Sequence, residues 1–504
     1  MTNYFLSLFF VALIHQKIPA QTFDRLWLTG NNEFPGVPGY GHAQLRFQGD
    51  SVLVEPAALA FNFESTMAAA LDSNGQLLFY TNGCAVANRD HQLMPNGTGL
   101  NPGALADQVC PAKGYIVAQG AMALPDPFAT GTHSRRFYLL HLAAAYEPVR
   151  KLRLGPLYYS IVDMDQQNGL GDVASKNNIL LDGDLGAFSA VRHGNGRDWW
   201  IVVPEFGNHI WHTFLLSPLG LEEQPVQTAA LQLPDCEKYM ATAIAPTGDR
   251  VANWGDCKIT ILGFDRCAGA FSPALELPAP AHWIPGGGVA FSPSGRYLYA
   301  ASQHVLFRAD LDADAPALDT MRFSYDPTKQ SEYDLPGNTF HYLVNGPDFR
   351  MYGNIPSRAP FLHVLNNPDG PTRDDLNFAA QGLKLPVTGV RTLPHLPNYR
   401  LLDLPGSPCD TLGIGVATQS PLGAGCDCRI TPNPATAAVR LDVSGCEMSN
   451  CVIFDLAGRR LREIAPAPGG STDLDVSDLA PGMYFVQVQE RSGQLATRAL
   501  AVLR

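Results

Sequence analysis

The sequence has no cluster of lysines and arginines. Its 35 basic residues are scattered among 47 acidic ones along 504 positions, for a formal charge of −12. Without a basic patch the chain lacks the electrostatic footprint of a protein that binds nucleic acid or an anionic membrane. No apolar run reaches the ~18 residues of a membrane-spanning helix, so the mature chain is expected to have no transmembrane segment. Long helical periodicity is almost absent, which excludes a helical fold. None of the ten cysteines stands in a paired C-x-x-C pattern, so the usual zinc spacing is missing. Missing too are the Gly-x-Ser-x-Gly elbow of a serine nucleophile and the Gly-x-x-x-x-Gly-Lys loop that cradles phosphate.

What the sequence has in quantity is turn chemistry: 47 glycines and 40 prolines in a chain that is 46% hydrophobic and only 16% charged. Short β-rich runs bounded by Gly, Pro, Asn and Asp recur throughout, so the chain reads as all-β. One unit keeps returning, a Gly- or Asp-containing turn that leads into a hydrophobic strand, at 73–80, 194–202, 245–251, 291–299 and 345–352. The turn residues Gly75, Gly196, Gly248, Gly295 and Asp348 are separated by 121, 52, 47 and 53 positions, and 132–140 is a plausible copy inside the first gap. A period of ~40–50 residues built from short strands is that of propeller blades. A four-stranded blade cannot cover its own two apolar faces, and a ring supplies a neighbour on each side without long exposed edges. Residues 21–405 hold about seven such units, with six or eight left open. Ser-Pro-x-Gly is also ordinary hairpin chemistry, but here each turn leads into a strand of similar pattern at similar spacing.

Residues 5–14 form an apolar stretch suited to a signal-peptide core and too short to span a bilayer. A polar break and a small residue follow, so cleavage is expected after Ala20, leaving Gln21 as the new N-terminus. An exported chain meets an oxidising compartment, where disulfides are the default. Cys84 is paired provisionally with Cys110, Cys257 and Cys267 bracket the strand 259–264, and Cys446 and Cys451 flank a hairpin. The connectivity stays open, with Cys409, Cys426 and Cys428 crowded together and Cys236 without an obvious mate.

Between 406 and 427 the strand pattern lapses into Gly, Pro, Ser and Thr, which reads as a linker. From 428 to 504 alternating strands return, as in a small antiparallel β-sandwich with one buried face per sheet. Its landmarks in order are Pro432, Asn433 and Pro434, a turn at Asp455 to Gly458, Pro481-Gly482 followed by Tyr484, and a final apolar strand. In this order they strongly resemble the type A sorting domain of type IX secretion. That resemblance implies handling by the type IX machinery, passage through the outer membrane, removal of the domain, and a secreted or cell-surface destination. The segments 73–83, 88–97, 161–173 and 190–202 look like the propeller-like regions of large exported proteins of gliding-type bacteria, which implies fold and export route but no reaction.

Candidate chemistry is sparse. Glu205, His209 and His212 are metal-ligating types, but residues three apart on a strand face opposite ways and 206–208 reads as a turn, so convergence is not expected. Asp163, Asp165, Asp172, Asp182 and Asp184 lie close together in loops of the kind calcium favours. Turn capping accounts for them first, and calcium is the one cofactor the pattern allows. Trp254 and Trp283 stand beside glycine-rich turns and His193 opens another, so these three are the candidate ligand-binding residues, the tryptophans exposed to stack on a sugar or peptide. No catalytic set converges in the sequence. The reading is an exported propeller that binds a protein or glycan, with an extracellular hydrolase or lyase working at the channel as the alternative.

Overall fold

The computed structural model describes residues 23–502, apart from 35, 128–134, 149–151, 208, 229–238, 256, 281–286, 303–304, 322–339, 356–358, 389–390, 405, 411, 413–426, 433–434, 445–447, 455–459, 465–470, 480–481 and 491–494. Seven antiparallel sheets follow one another along the chain, spanning 26–57, 68–98, 121–181, 189–228, 239–278, 289–321 and 343–384. The first has three strands, the fourth has five, and the others are four-stranded meanders in simple sequence order. First strands of successive sheets lie side by side: Leu26–Asn31 beside Ala68–Leu71, that strand beside Ala121–Pro125, and Tyr239–Ile244 between Ser189–Arg192 and Val289–Phe291. This is a seven-bladed β-propeller with the first strands innermost.

The side-chain period of two explains how each blade serves both neighbours. In the strand Trp199–Pro204, Trp199, Ile201 and Val203 pack toward Leu140 and Leu142 of the third blade, whereas Trp200 and Val202 pack toward Val251, Leu262 and Phe264 of the fifth. Both sets are buried, which is why such strands read as continuous apolar runs rather than as alternation. The recurrent turns at 73–75, 194–196, 247–248, 292–295 and 346–348 each join the first strand of a blade to its second. The ring closes where Tyr352, Leu362 and Val364 of the seventh blade meet Trp27, Leu45 and Phe47 of the first in one apolar cluster. At its centre the Trp27 ring lies 4.6 Å from Phe47 and 5.4 Å, edge-on, from Tyr352.

Two disulfides have both partners among the described residues. Cys84–Cys110 fastens the short helix Ala104–Val109 to the second blade, as paired from the sequence. Cys267 does not pair with Cys257: it bonds Cys409, 142 residues away, and Cys257 is disulfide-bonded separately. Cys409, placed in the linker by composition, is therefore fixed to the fifth blade. Cys446 lies outside the described residues.

Beyond the ring, a three-stranded sheet (Asp427–Thr431, Ala438–Ser444, Ser471–Asp475) and a four-stranded one (Arg460–Ile464, Met448–Phe454, Gly482–Glu490, Leu495–Val502) face each other as a sandwich. Val439, Leu441, Ile453, Val486, Val488 and Leu500 fill the space between them. Tyr484 is buried in the same core, while Asn433, Pro434, Asp455, Gly458 and Pro481 lie outside the described residues.

Removing the aromatic at the ring closure is costly, because the apolar surfaces of both partner blades then face a cavity. Trp27→Ala is expected to lower the unfolding free energy by about 3–5 kcal/mol, read from the shift of the denaturant midpoint. A loss under about 1 kcal/mol would mean that the ring closes without this contact.

Candidate functional site

The middle of the ring, where a propeller enzyme would gather groups from several blades, is filled by the chain itself. Residues 391–404 have no regular strand pairing, yet six of the fourteen are buried and only Leu402 is exposed. They run from the end where the innermost strands begin to the end where those strands finish. At the first end the Arg391 carbonyl accepts Asn354 Nδ2 at 2.8 Å, the Arg391 guanidinium pairs with Glu64, and Thr392 Oγ1 donates to the Ser65 carbonyl at 3.0 Å. Midway, His395 Nδ1 lies 3.1 Å from the Gln119 carbonyl and its ring meets Phe188 edge-on, while the Tyr399 hydroxyl donates to the Ala123 carbonyl at 2.6 Å. At the far end Asn398 Nδ2 donates to the Pro246 carbonyl at 2.8 Å, and Arg400 donates to the Pro347 carbonyl at 2.8 Å and Asp24 at 2.9 Å. Arg266 then holds the Leu402 carbonyl, and Leu404 N–H donates to the Gly194 carbonyl at 2.8 Å. This strap engages six of the seven blades. Gln119 caps the space further, pairing its side-chain amide with the backbone N–H and carbonyl of Thr242, both at 3.0 Å.

Two glycines make room for the strap as it leaves. A Cβ on Gly194 would stand 2.3 Å from Cys409 Sγ, and one on Gly196, whose φ is +77°, would stand 2.9 Å from the Asp403 Cβ. The motif 193–198 that stood out in the sequence is thus the seat of the strap. His193 is buried in this turn. Its Nδ1 accepts the Asn195 N–H at 2.9 Å and its N–H donates to the Asp198 carbonyl at 2.8 Å, so it braces the turn instead of facing solvent.

Trp254, expected at an exposed loop, is fully buried between the fifth and sixth blades beside Ile259, Leu298 and Phe307. The adjacent Gly255 ends the strand Arg250–Gly255, whose inner stretch belongs to the blade face, and that placement overrides the neighbouring turn. Trp283 lies outside the described residues. Glu205 and His212 do meet, contrary to expectation. The turn between them folds Trp199–Pro204 onto Ile210–Ser217, setting Glu205 Oε1 2.8 Å from His212 Nε2, and Glu223 approaches Nδ1 at 3.2 Å. The two carboxylates approach opposite nitrogens of the ring, so the three side chains do not converge on one point as metal ligands must. Asp163 accepts the Asp165 N–H at 3.0 Å and faces Asp172 across a strand pair, and burial together with this neighbour pushes the Asp172 carboxyl above the usual carboxylate range. Among the described residues no three His, Cys, Asp or Glu side chains gather as metal ligands do.

One arrangement escaped the sequence. Ser160 Oγ lies 2.9 Å from His141 Nε2, and His141 Nδ1 lies 2.7 Å from Asn101 Oδ1. The order Ser–His–Asn is that of an activated nucleophile. Here all three are at most 1% exposed and Ser160 Oγ also accepts the Asn177 N–H at 3.1 Å, so no carbonyl carbon can reach it. The network instead ties the second blade to the third. The signal in the sequence was His141 itself, a polar residue within the apolar run 137–144.

Burial keeps three histidines neutral. It holds His395 at about 4 and His141 at about 3, and at His341 burial with nearby Arg391 gives about 4. His395 Nε2 has no hydrogen-bond partner among the described residues. The unfolded chain takes up these protons near pH ~6.5, whereas the folded ring resists them until about 4. Stability is therefore full above ~6.5 and falls as the pH drops toward 4. Melting temperature measured from pH 7 to 4 is expected to fall more steeply for the natural chain than for His395→Gln; equal slopes would mean that His395 does not titrate in the ring.

Ser160→Ala strands a buried acceptor on His141. It is expected to cost about 1–3 kcal/mol in unfolding free energy, and a stability equal to the parent's would show that the network contributes nothing.

The comparisons with known proteins bear on the two parts of the chain differently. No curated protein matches the sequence. Solved structures that resemble it include a protein of Lactobacillus plantarum (12% identity, TM-score 0.42, covering 73% of this chain and 98% of that one). Others are the Dos1 propeller (11% identity, TM-score 0.36, 73% and 86%) and a gluconolactonase of Xanthomonas campestris (14% identity, TM-score 0.29, 66% and 93%). At these scores the likeness adds nothing to the fold read from the seven sheets themselves. The family of secretion system C-terminal sorting domains matches residues 429–501, which are the strands of the sandwich. With its landmark motifs in order and that family matched over the same strands, the C-terminal unit is a type IX secretion sorting domain, and the chain that carries it is a secreted or cell-surface protein.

Proposed function

We propose that the ring is a non-enzymatic binding module displayed outside the cell, and that it takes a protein or glycan on the face that carries its long connections. The observation that carries this reading is the strap. With residues 391–404 bonded to six blades and Gln119 reaching to Thr242, the axis holds protein where a hydrolase or lyase would hold substrate.

The face is chosen by loop length. In the second to seventh blades, first-to-second and third-to-fourth connections lie at one end of the blade and all others at the opposite end, whereas the three-stranded first blade runs the other way, which brings its connection 32–40 beside Asn62 and Lys113. In these blades the first-to-second turns are tight, as at 72–76 and 245–249, except for 126–135 of the third, whereas the connections between blades include 58–67 and 99–120. Loops held by a rigid scaffold are where recognition residues accumulate. This face also carries Phe34 and Val37, each 47% exposed. Their tip is fixed by Asn32 N–H to Asn62 Oδ1 at 2.7 Å, by a Glu33–Lys113 ion pair at 3.4 Å and by Thr388 N–H to the Gly39 carbonyl at 2.6 Å.

Two measurements test the reading. Cell fractionation of the native host is expected to find the full-length product outside the cell and a chain lacking 428–504 retained in the periplasm. Arrays of host-surface glycans and envelope proteins probed with the secreted protein are expected to show saturable binding that Phe34→Ala weakens at least tenfold. Turnover of a polysaccharide or peptide by the purified protein, abolished by substitutions lining the axis, would instead establish the hydrolase or lyase.

A further inference from the structure

The strap is held in two unlike ways. Along its length it is held without covalent bonds, by side-chain hydrogen bonds to blade carbonyls, by the Arg391–Glu64 and Arg400–Asp24 ion pairs and by apolar contacts of Tyr399, Leu396 and Leu393. At its end it is held by a covalent bond, Cys267–Cys409, on a turn of the fifth blade. Both cysteines are half-buried, with Ser407 Oγ 3.4 Å from each sulfur, so the bond lies at the surface and not in a blade core. Cys267 also follows Arg266, which holds the Leu402 carbonyl, and Cys409 packs on Gly194, whose carbonyl accepts Leu404 N–H. Breaking the one covalent bond frees the sulfur around which this seat is built.

We propose that Cys267–Cys409 is a redox latch on the ring axis: a dithiol reductant opens it, and the strap 391–404 then leaves the axis while the blades stay folded. One thiolate of the reductant attacks a sulfur of the pair and forms a mixed disulfide. Its second thiol displaces the protein sulfur. The S–S bond is broken, Cys267 and Cys409 each gain a proton, and the reductant ends as its own disulfide, a two-electron exchange. The ring survives because Trp27, Phe47 and Tyr352, which close it, belong to the first and seventh blades, and the strap touches their cluster only through the partly buried Leu393 and Leu396.

The strap supplies its own reporter, since Arg391 and Arg400 are trypsin sites paired with Glu64 and Asp24 in the closed form. The full chain is digested briefly when oxidised, when reduced with dithiothreitol, and as Cys267→Ser/Cys409→Ser, with Cys84→Ser/Cys110→Ser as the control. Cleavage after Arg391 and Arg400 is followed by mass, and blade integrity by tryptophan fluorescence. At least a tenfold rise in strap cleavage is expected on reduction and in the 267/409 variant, with native fluorescence and no rise in the 84/110 variant. Strap cleavage unchanged by reduction overturns the latch, as does simultaneous cleavage of the blades with loss of fluorescence. Either result leaves the binding assay on the opposite face unaffected.

Discussion

A sheet with two apolar faces cannot stop. Every blade of this ring leaves one surface for the next, and the series ends only because the seventh blade meets the first around Trp27. The rest of the structure depends on that closure. Because the blades radiate from a centre, their inner edges leave a space along the axis, and a space lined with backbone carbonyls needs donors. The strap brings them in Thr392, His395, Asn398, Tyr399 and Arg400, one after another, along a segment that forms no ladder of its own.

Much of the fold was legible in the sequence because it is local. The turns at Gly75, Gly196, Gly248 and Gly295 need positive φ, and the spacing of the last three is the length of one blade. The sandwich was legible for a similar reason, as an ordered series of alternating strands with turn landmarks between them. Trp254 was misjudged because a turn one residue away says nothing about which face of a blade the ring presses against its neighbour.

The strap was invisible for another reason. Between 391 and 404 the sequence is short of β pattern and rich in Leu, with two prolines, which by composition is indistinguishable from the start of a linker. Its partners are spread from Asp24 to Asn354, and Cys409 finds Cys267 across 142 residues. Only the closed ring brings these positions together. The Ser160–His141–Asn101 network is similar: it joins three segments that no spacing rule connects, and what it shares with a catalytic relay is geometry without access.

The position of the Cys267–Cys409 bond also decides how the molecule would bear load. A pull applied through the C-terminal unit enters the ring at Cys409. Without the bond, that tension would draw the strap out and then peel the outer strand Phe378–Lys384 from the seventh blade, one hydrogen bond at a time. With it, force passes through sulfur directly into the fifth blade, and the sixth and seventh lie inside a closed covalent circuit that bears none of it. A ring pulled by its tail would in this way be suspended from its middle.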